Sequence, residues 1–452
     1  MIGTLANLWR IREIRSKILI TLLMLGIYRL GTFIPLAGVD GHALKAYYEG
    51  MVADAGGTAT LTRMLSLFSG GAMFRFSVFA LGIMPYISSS IIMQILVAVT
   101  PSLKAMQEEG PAGQERIKLY TKFATILIAI IQGVMFLGFL NNINRGLEEP
   151  VIIDAGLWWN IQTIATWTAG TLFLMWMGDQ ISVHGIGNGS SLIIMSGIVV
   201  QLPVAVISLL SPDTAGVQRD PLSSLLILVV YFLMIVGIVF ITMAQRRVPI
   251  QMAKHVRGNR MSQGGAMRSY LPLRVNQAGV MPVIFASVVL QFSGVLFNYL
   301  AQLNGFIFNP IKDQMNPGAH FGYLVVNIVL IIFFAYFYTA MVFNPKEMSE
   351  NLKKQGHFIP GIRPGGHTAD FLESLMNRVV LAGAVFLALI DVTPVLATGS
   401  GVQSVVASFM GGTGLLIVVG VALDLMQKLE TEMTMRNYQG FMRQRRNRRM
   451  GS

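Results

Sequence analysis

The feature that most constrains this chain is a series of ten long apolar stretches, which occupy most of its 452 residues. The hydrocarbon core of a bilayer is about 30 Å thick, so a helix needs about 20 mostly apolar residues to cross it. Only 12% of the residues are charged, against roughly 25% in an ordinary soluble domain. The sequence therefore predicts a polytopic, all-α integral membrane protein with ten transmembrane helices.

The bounds of the ten helices follow from length and the absence of charge. In the first half we predict helices at 18–37, 76–99, 120–140, 159–177 and 191–210. In the second half we predict them at 222–244, 275–299, 321–343, 375–397 and 403–424. The first apolar run is too long for the core of a cleaved signal peptide, so it is assigned as a spanning helix.

The basic residues predict the orientation. If the N-terminus lies in the cytoplasm, 27 of the 34 lysines and arginines fall in cytoplasmic segments. This asymmetry is what the positive-inside rule predicts. Both termini are therefore expected inside, together with two large loops at about 245–274 and 344–374 and a basic tail at 425–452. The net charge of +12 is first of all a topology signal.

The ten helices divide at the external loop 211–221 into an N-terminal half, 1–210, and a C-terminal half, 222–424. Because five is odd, the second half enters the membrane with the opposite polarity to the first. Two inverted halves are a recurrent way to build a transport pathway at their interface. No internal sequence repeat is visible, so it stays open at this point whether the halves are related.

Several kinds of chemistry are disfavoured. The chain has no cysteine, so it has neither disulfides nor a thiolate metal site, and we predict no metal or cofactor. The glycine-rich loop 185–191 lacks the lysine of a phosphate-binding loop and is expected to be a tight loop capped by Ser190 or Ser191. His184 lies beside that loop, so no serine and histidine pair supports an intramembrane protease.

The predicted spans contain almost no ionisable residues apart from Arg29. Ion-coupled secondary transporters of small solutes, the main alternative function, usually need such groups near the middle of the membrane. Their scarcity favours a passive, apolar conduit that performs no bond chemistry, so the chain is predicted not to be an enzyme.

The external segment between helices 1 and 2 contains a short amphipathic stretch. Leu61, Met64, Leu65 and Phe68 fall on one helical face, and the pair Gly70-Gly71 follows them. The stretch is too short to span the membrane. It could lie on the outer surface as an interfacial helix or fold back into the protein as a half-helix, and the pattern alone favours the surface.

The two large inside loops are strongly basic. The first carries seven lysines and arginines and no acidic residue between residues 246 and 274, and the second carries Lys353, Lys354 and Arg363. Anchoring at the membrane surface and contact with anionic lipids explain charges close to the bilayer. For the middle of a loop about thirty residues long, a large anionic or phosphate-rich partner is the sharper hypothesis.

Eight ordered motifs resemble those of the SecY family, the central subunits of bacterial protein-conducting channels. The motifs are Phe68–Gly71, Phe79–Ile87, Gly185–Gly189, Leu271–Asn276, Val342–Pro345, Asn351–Lys354, Ile359–Gly365 and Gly411–Ile417. The resemblance implies two inverted five-helix halves around a central hourglass pore, hinged at the loop between helices 5 and 6. It also implies location in the bacterial cytoplasmic membrane, the passage of unfolded polypeptides and the lateral release of signal and transmembrane helices.

The resemblance further implies roles for particular residues. The segment at about 61–75, including Leu61, Met64, Leu65, Phe68, Gly70 and Gly71, corresponds to a plug that seals the outer funnel, which reverses the preference for a surface helix. The pore ring corresponds to Ile83, Ile87, Ser190, Ile194, Ile284 and Ile417, where Ser190 departs from the expected bulky apolar residue. Ser88 and Phe292 correspond to the two edges of a lateral gate.

The partners implied by the resemblance are the subunits SecE and SecG, the motor ATPase SecA, the ribosome with its nascent chain, signal peptides and anionic lipids. Arg363 matches an arginine that is important for transport driven by SecA. The residues expected to contact SecA or the ribosome are Arg246, Arg247, Lys254, Arg257, Arg260, Lys353, Lys354 and Arg363.

Overall fold

A computed structural model describes residues 12–40, 69–73, 75–145, 152, 156–203, 207, 221–252, 269–303, 314, 321–399 and 412–450. In the first half the helices are α1 (Arg12–Gly31), α2 (Met84–Val99), α3 (Pro101–Glu108), α4 (Pro111–Arg145), α5 (Leu157–His184) and α6 (Gly189–Val199). In the second half they are α7 (Pro221–Met243), α8 (Met281–Leu303), α9 (Phe321–Val342), α10 (Pro345–Lys354), α11 (Gly366–Gly399) and α12 (Gly412–Met450). Three short strands are β1 (Gln245–Met252), β2 (Ser269–Arg274) and β3 (His357–Phe358).

Each of the ten predicted apolar stretches overlaps one of these helices. Four helical stretches within the described residues are long and apolar enough to cross a membrane, and α2 with α3, bent by 98°, counts as a fifth if it is one span. The four are Pro111–Gly138, Phe321–Lys354, Gly366–Thr393 and Gly412–Thr434. Shorter apolar helices lie at Gly189–Val199, Leu228–Met243 and Met281–Leu290. The count of ten spans and their orientation stay predictions.

The second span was predicted to begin at residue 76, but α2 begins at Met84. The residues before it form turns, with φ of +43° at Phe76 and +58° at Gly82, values that do not occur in the interior of an α-helix. Side chains of α5 hold these turns, because Trp167 donates to the Ser77 carbonyl at 3.2 Å. These residues are apolar because they are buried in the protein, although they are not helical. Apolar character alone therefore did not separate this turn-forming stretch from a spanning helix.

The all-α prediction is wrong in one respect, because the two large loops predicted to lie inside contribute strands to an antiparallel sheet in the order β2-β1-β3. β1 pairs with β2 from Gln245–Arg274 to Ile250–Ser269, and its end pairs with β3. Val248 and Ile250 are buried with exposed Pro249 between them, which is the two-residue period of a strand. The sheet joins the two basic loops into one unit.

The largest buried cluster lies where the two halves meet. It draws residues from α2, α6, α8 and α12, and the halves contact each other directly at α2 with α8 and at α6 with α12. Within each half, α2 packs on α4 and α4 on α5, while α8 packs on α9 and α9 on α11. A site built at this junction therefore depends on both halves.

Candidate functional site

The five isoleucines predicted to form the pore ring all lie in the cluster between the halves. Their exposed fractions are 1% for Ile83, 8% for Ile87, 3% for Ile194, 4% for Ile284 and 0% for Ile417. The first half supplies three of them and the second half two. The structure thus brings together residues that are more than 300 positions apart in sequence. Their role as a seal stays a prediction.

Ser190 differs from these isoleucines in its surroundings. The residue is half-buried, and its hydroxyl donates to Asn188 Oδ1 at 2.8 Å. Asn188 is the N-cap of α6, because its side chain also accepts from the Ser190 backbone N–H. The predicted cap, Ser190 or Ser191, is therefore wrong, since an asparagine in extended conformation fills that role. Ser190 therefore presents a bonded hydroxyl in place of the bulky apolar side chain that the resemblance implies.

Close packing of glycines fixes the start of α6. Gly189 lies against the Gly178 carbonyl of α5, where an added Cβ would collide with the backbone. Gly187, two residues earlier, has a φ of +90°, which favours glycine. The glycine-rich motif thus serves to bring α6 against α5 and to place Ile194 in the cluster. It is a packing motif and not a phosphate-binding loop.

The plug segment is described only at its end. Leu61, Met64, Leu65 and Phe68 lie outside the described residues, so their placement stays a prediction. Residues 69–73 form turns, so the predicted half-helix does not continue through them. The Tyr28 hydroxyl donates to the Ser69 carbonyl at 3.2 Å, and the Arg29 guanidinium donates to the Gly70 carbonyl at 3.0 Å. The end of the plug segment is therefore bonded to α1.

The same turn also lies against α6 through two glycines. Gly70, at a φ of +65°, approaches Gly197 so closely that an added Cβ would lie 2.9 Å from the Gly197 Cα. From the other side, a Cβ on Gly197 would lie 3.1 Å from the Gly70 nitrogen and 3.2 Å from the Tyr28 hydroxyl. This contact leaves no room for a side chain on either residue.

We expect Gly197→Val to displace the turn at residues 69–73 and to raise ion leakage through the idle protein several-fold, because a Cβ and two methyl groups enter this contact. Leakage is measured as ion efflux from vesicles. Gly138→Val on α4 is the matched control, since nothing lies within 4 Å of a Cβ at that position. Equal leakage in the two variants would show that the contact does not hold the turn.

The predicted lateral gate lies where α2 and α8 contact each other. Ser88 is 4% exposed, and its hydroxyl donates to the Met84 carbonyl of its own helix at 3.0 Å. Phe292 lies on α8, but its side chain lies outside the described set. Ile87 and Ile91 of α2 share the central cluster with Ile284 of α8. The two helices are thus in apolar contact next to these positions.

Five of the eight basic residues predicted to contact partners lie among the described residues, and all five are exposed on the sheet or near it. Arg246 and Arg247 lie on β1, Lys353 and Lys354 in the last turn of α10, and Arg363 in the turns after β3. Lys254, Arg257 and Arg260 lie outside the described residues. Because β1 pairs with both β2 and β3, the sheet and the turns after β3 form one surface that carries arginines from two different loops. We call this surface the platform.

The turn that carries Arg363 is braced from both sides. The Thr368 hydroxyl donates to the Arg363 carbonyl at 2.9 Å, and the Ser349 hydroxyl of α10 donates to the Gly365 carbonyl at 2.6 Å. Gly361 and Gly365 have φ of +83° and +107°, which a side chain would strain. The backbone is held while the arginine side chain stays exposed.

One residue was overlooked in the sequence. Asp391 lies in α11, within a predicted span, and is 8% exposed. The only signal available in the sequence is a single carboxylate between apolar neighbours in Leu389–Val392. Such residues inside membrane spans are costly and commonly functional. The spans are therefore less free of ionisable residues than expected.

Comparison with known proteins gives one consistent result. The family model described as SecY matches residues 77–426. A protein translocase subunit SecY from Aquifex aeolicus is 40% identical over 440 residues, which cover 97% of this chain and 99% of the relative.

Two solved structures share the fold at 16% identity. One, described as a SecY protein whose plug domain stabilises the closed state of the translocation channel, has a TM-score of 0.61 and covers 94% of this chain and 96% of its own. The other, Sec61 in a canine ribosome-channel complex from the endoplasmic reticulum, has a TM-score of 0.60 and covers 93% and 92%. The match of the family model over most of the chain and the identity to a full-length relative show that this chain belongs to the SecY family.

Proposed function

We propose that this chain is the channel-forming subunit of a protein translocase in the bacterial cytoplasmic membrane. It passes unfolded secretory polypeptides across the membrane and releases signal and transmembrane helices sideways into the lipid. The observation that carries the proposal is the buried isoleucine cluster to which α2, α6, α8 and α12 of both halves contribute. The full-length relative named as a translocase subunit supports it. Ion-coupled solute transport is not favoured.

The proposed topology has ten spans, both termini in the cytoplasm and two inverted halves hinged at residues 211–221. In this arrangement the isoleucine cluster is a constriction. A ring of branched apolar side chains resists hydration, so it blocks ions when idle. It also fits around varied side chains without binding any one of them. The plug segment, bonded at its described end to α1, adds a second barrier on the outer side.

The contact between α2 and α8 is the proposed lateral exit, with Ser88 and Phe292 at its edges. When the halves separate there, a translocating segment is exposed to lipid. An apolar helix then partitions into the bilayer, because burial of apolar surface is favourable by about 25 cal/mol per Å². A polar segment stays in the aqueous pathway, since its backbone and side chains would lose hydrogen bonds in hydrocarbon.

The sheet and its neighbouring turns are the proposed docking face. SecA and the ribosome bind there, anionic lipids contact the charges nearest the membrane, and SecE and SecG complete the assembly. A solved structure with the same fold is described as a ribosome-channel complex, which supports this assignment. Exposed arginines from two loops on one platform suit a large anionic surface, and ribosomal RNA offers phosphates.

The proposal is tested by reconstituting the chain with SecE and SecG in vesicles and adding SecA, ATP and a secretory precursor. We expect protease-protected precursor to accumulate in proportion to time and ATP. The control precursor carries a charged residue in the centre of its signal sequence and is expected to remain outside. If a small solute accumulates under an ion gradient and no precursor is protected, the hypothesis of ion-coupled solute transport replaces that of a protein-conducting channel.

A separate prediction concerns Ile83 and the ion leakage of the idle channel. Ile83→Asn places an amide at a position that is 1% exposed, and we expect it to hydrate the constriction and raise idle ion leakage several-fold. Ile83→Leu keeps the volume and the apolar character and is expected to leak like the unmodified chain. Leakage is measured as ion efflux from vesicles without SecA. Tight vesicles with Ile83→Asn would remove Ile83 from the seal.

A further inference from the structure

Asp391 holds together three helices of the second half by hydrogen bonds. Its Oδ2 accepts from Asn327 Nδ2 of α9 at 2.6 Å, and its Oδ1 accepts from Thr413 Oγ1 of α12 at 2.7 Å. The Thr413 backbone N–H donates to the same carboxyl group. None of the ion pairs among the described residues involves Asp391. Hydrogen bonds are therefore what compensates the burial of this group.

The position of Thr413 makes this contact a helix cap. α12 begins at Gly412, whose φ of +69° turns the chain sharply, and Thr413 follows directly. The first N–H groups of a helix have no partner within the helix, and the N-terminus favours negative charge. The cap is usually a residue next to the helix in sequence. Here a carboxylate on another helix provides it.

The cap lies one turn from the proposed seal on both helices. Ile417 is four residues after Thr413 on α12, and Leu387 is four residues before Asp391 on α11, so each pair shares a helix face. Ile417 and Leu387 are 0% and 2% exposed and belong to the same central cluster. The carboxylate thus sets how far α12 is inserted beside α11, and with it where Ile417 enters the cluster.

The site is remote from the docking face. Asp391 is 25 residues beyond the start of α11 at Gly366, or about 38 Å along a helix that rises about 1.5 Å per residue. Partners bound at the sheet do not reach it. Asn327 is itself 3% exposed and bonds the second carboxylate oxygen, which fixes the orientation of the first. The carboxylate is thereby aimed at the start of α12.

We propose that Asp391 is a positioning residue for the ion seal: by capping α12 across the helix interface, it holds Ile417 in the ring of the idle channel. This rests on the proposed function, in which the isoleucine cluster is the seal. The residue does not contact the translocating chain. Its loss leaves the fold and the docking face intact while Ile417 becomes free to move.

The test compares Asp391→Leu, Thr413→Val and Thr413→Ser in the assembled complex. Asp391→Leu removes every acceptor and keeps the branching of the side chain, Thr413→Val removes only the hydroxyl donor, and Thr413→Ser keeps it. Two quantities are measured: ion efflux from vesicles, and the labelling rate of a single Ile417→Cys by a small polar maleimide. The absence of native cysteine makes the second readout specific.

We expect both quantities to rise about tenfold or more with Asp391→Leu, because several hydrogen bonds are lost together and the buried donor of Asn327 and the donor of Thr413 are left without an acceptor. Thr413→Val should give a smaller rise and Thr413→Ser none. Thermal unfolding and assembly with SecE are followed in parallel. Lower stability without a change in labelling at a temperature where the complex is folded would assign Asp391 a merely structural role and overturn the proposal.

The two proposals fail separately. If Ile83→Asn leaks and Asp391→Leu neither leaks nor labels faster, the positioning role is wrong and the seal stands. If Ile83→Asn does not leak, Ile83 is not part of the seal, and the proposed ring is wrong at that position. The labelling of Ile417→Cys then still reports whether Asp391 positions that residue, and unchanged labelling in Asp391→Leu would reject this as well.

Discussion

Charge reversal at Arg363 is expected to reduce SecA-driven export of a secretory precursor to background in reconstituted vesicles, while assembly with SecE is unchanged. The side chain is exposed, and the bonds that brace its turn go to backbone carbonyls of Arg363 and Gly365. The substitution therefore alters the docking face without altering the fold. Truncating one partner of a charge pair that is buried and hydrogen-bonded at an interface typically costs about 2–5 kcal/mol, and reversal adds repulsion.

Lys346→Glu is the matched control for this variant. It makes the same change of charge in the same loop, at an exposed position in the first turn of α10. A glutamate is favourable there because the N-terminus of a helix attracts negative charge. We expect near-normal export from it. If Arg363→Glu exports like Lys346→Glu, Arg363 has no special part in docking, and the platform acts only through its total charge.

The positions of the apolar helices could be predicted because the bilayer limits the choices. A chain in hydrocarbon must satisfy its backbone within each segment, so a long uncharged run is helical. The stretch before α2 shows the limit of this rule. Phe76 and Phe79 are as apolar as any spanning residue, but they lie in turns held by Trp167 and other residues of α5. Protein, not lipid, surrounds them, so irregular backbone is tolerated.

The sheet between the two inside loops could not be predicted for a different reason. β1 has the alternation of a half-buried strand at Val248 and Ile250, but β3 is only two residues long. A strand that short carries no period of its own, and its pairing depends on a loop about a hundred residues away in sequence. The sequence therefore predicted which arginines take part in docking, but not that the sheet brings them together on one platform.

The candidate site was predicted from family motifs more than from physical pattern. Nothing in composition distinguishes Ile417 from other isoleucines of the spans, and its place follows from matching Gly411–Ile417. Asp391 shows the converse. It lies outside the motifs, and its meaning depends on Asn327 and Thr413, which come from two other helices. A single ionisable residue in an apolar span can therefore have specific partners on other helices, even when the spans as a whole contain almost no ionisable residues.

The second large effect is expected from a covalent link across the proposed lateral exit between α2 and α8. Ser88→Cys with Phe292→Cys is expected to form a disulfide on mild oxidation, to stop precursor export completely and to recover it on reduction. A disulfide requires Cα atoms about 4.4–6.8 Å apart, so its formation tests whether the two positions face each other. Ser88→Cys itself is mild, because the lost hydroxyl bonds only to Met84 of its own helix.

Because this chain has no native cysteine, a single variant cannot form a disulfide within the chain. Each single variant, oxidised in the same way, is therefore the control and should export normally. The stop is expected because α2 and α8 belong to different halves, and a covalent bond between them prevents the separation through which a signal helix reaches lipid. Cross-linking is read from gel mobility after proteolytic cleavage between the two halves, and export from protease protection. Efficient cross-linking with undiminished export would mean that chains enter without parting α2 from α8, and the exit would then have to lie elsewhere on the channel wall.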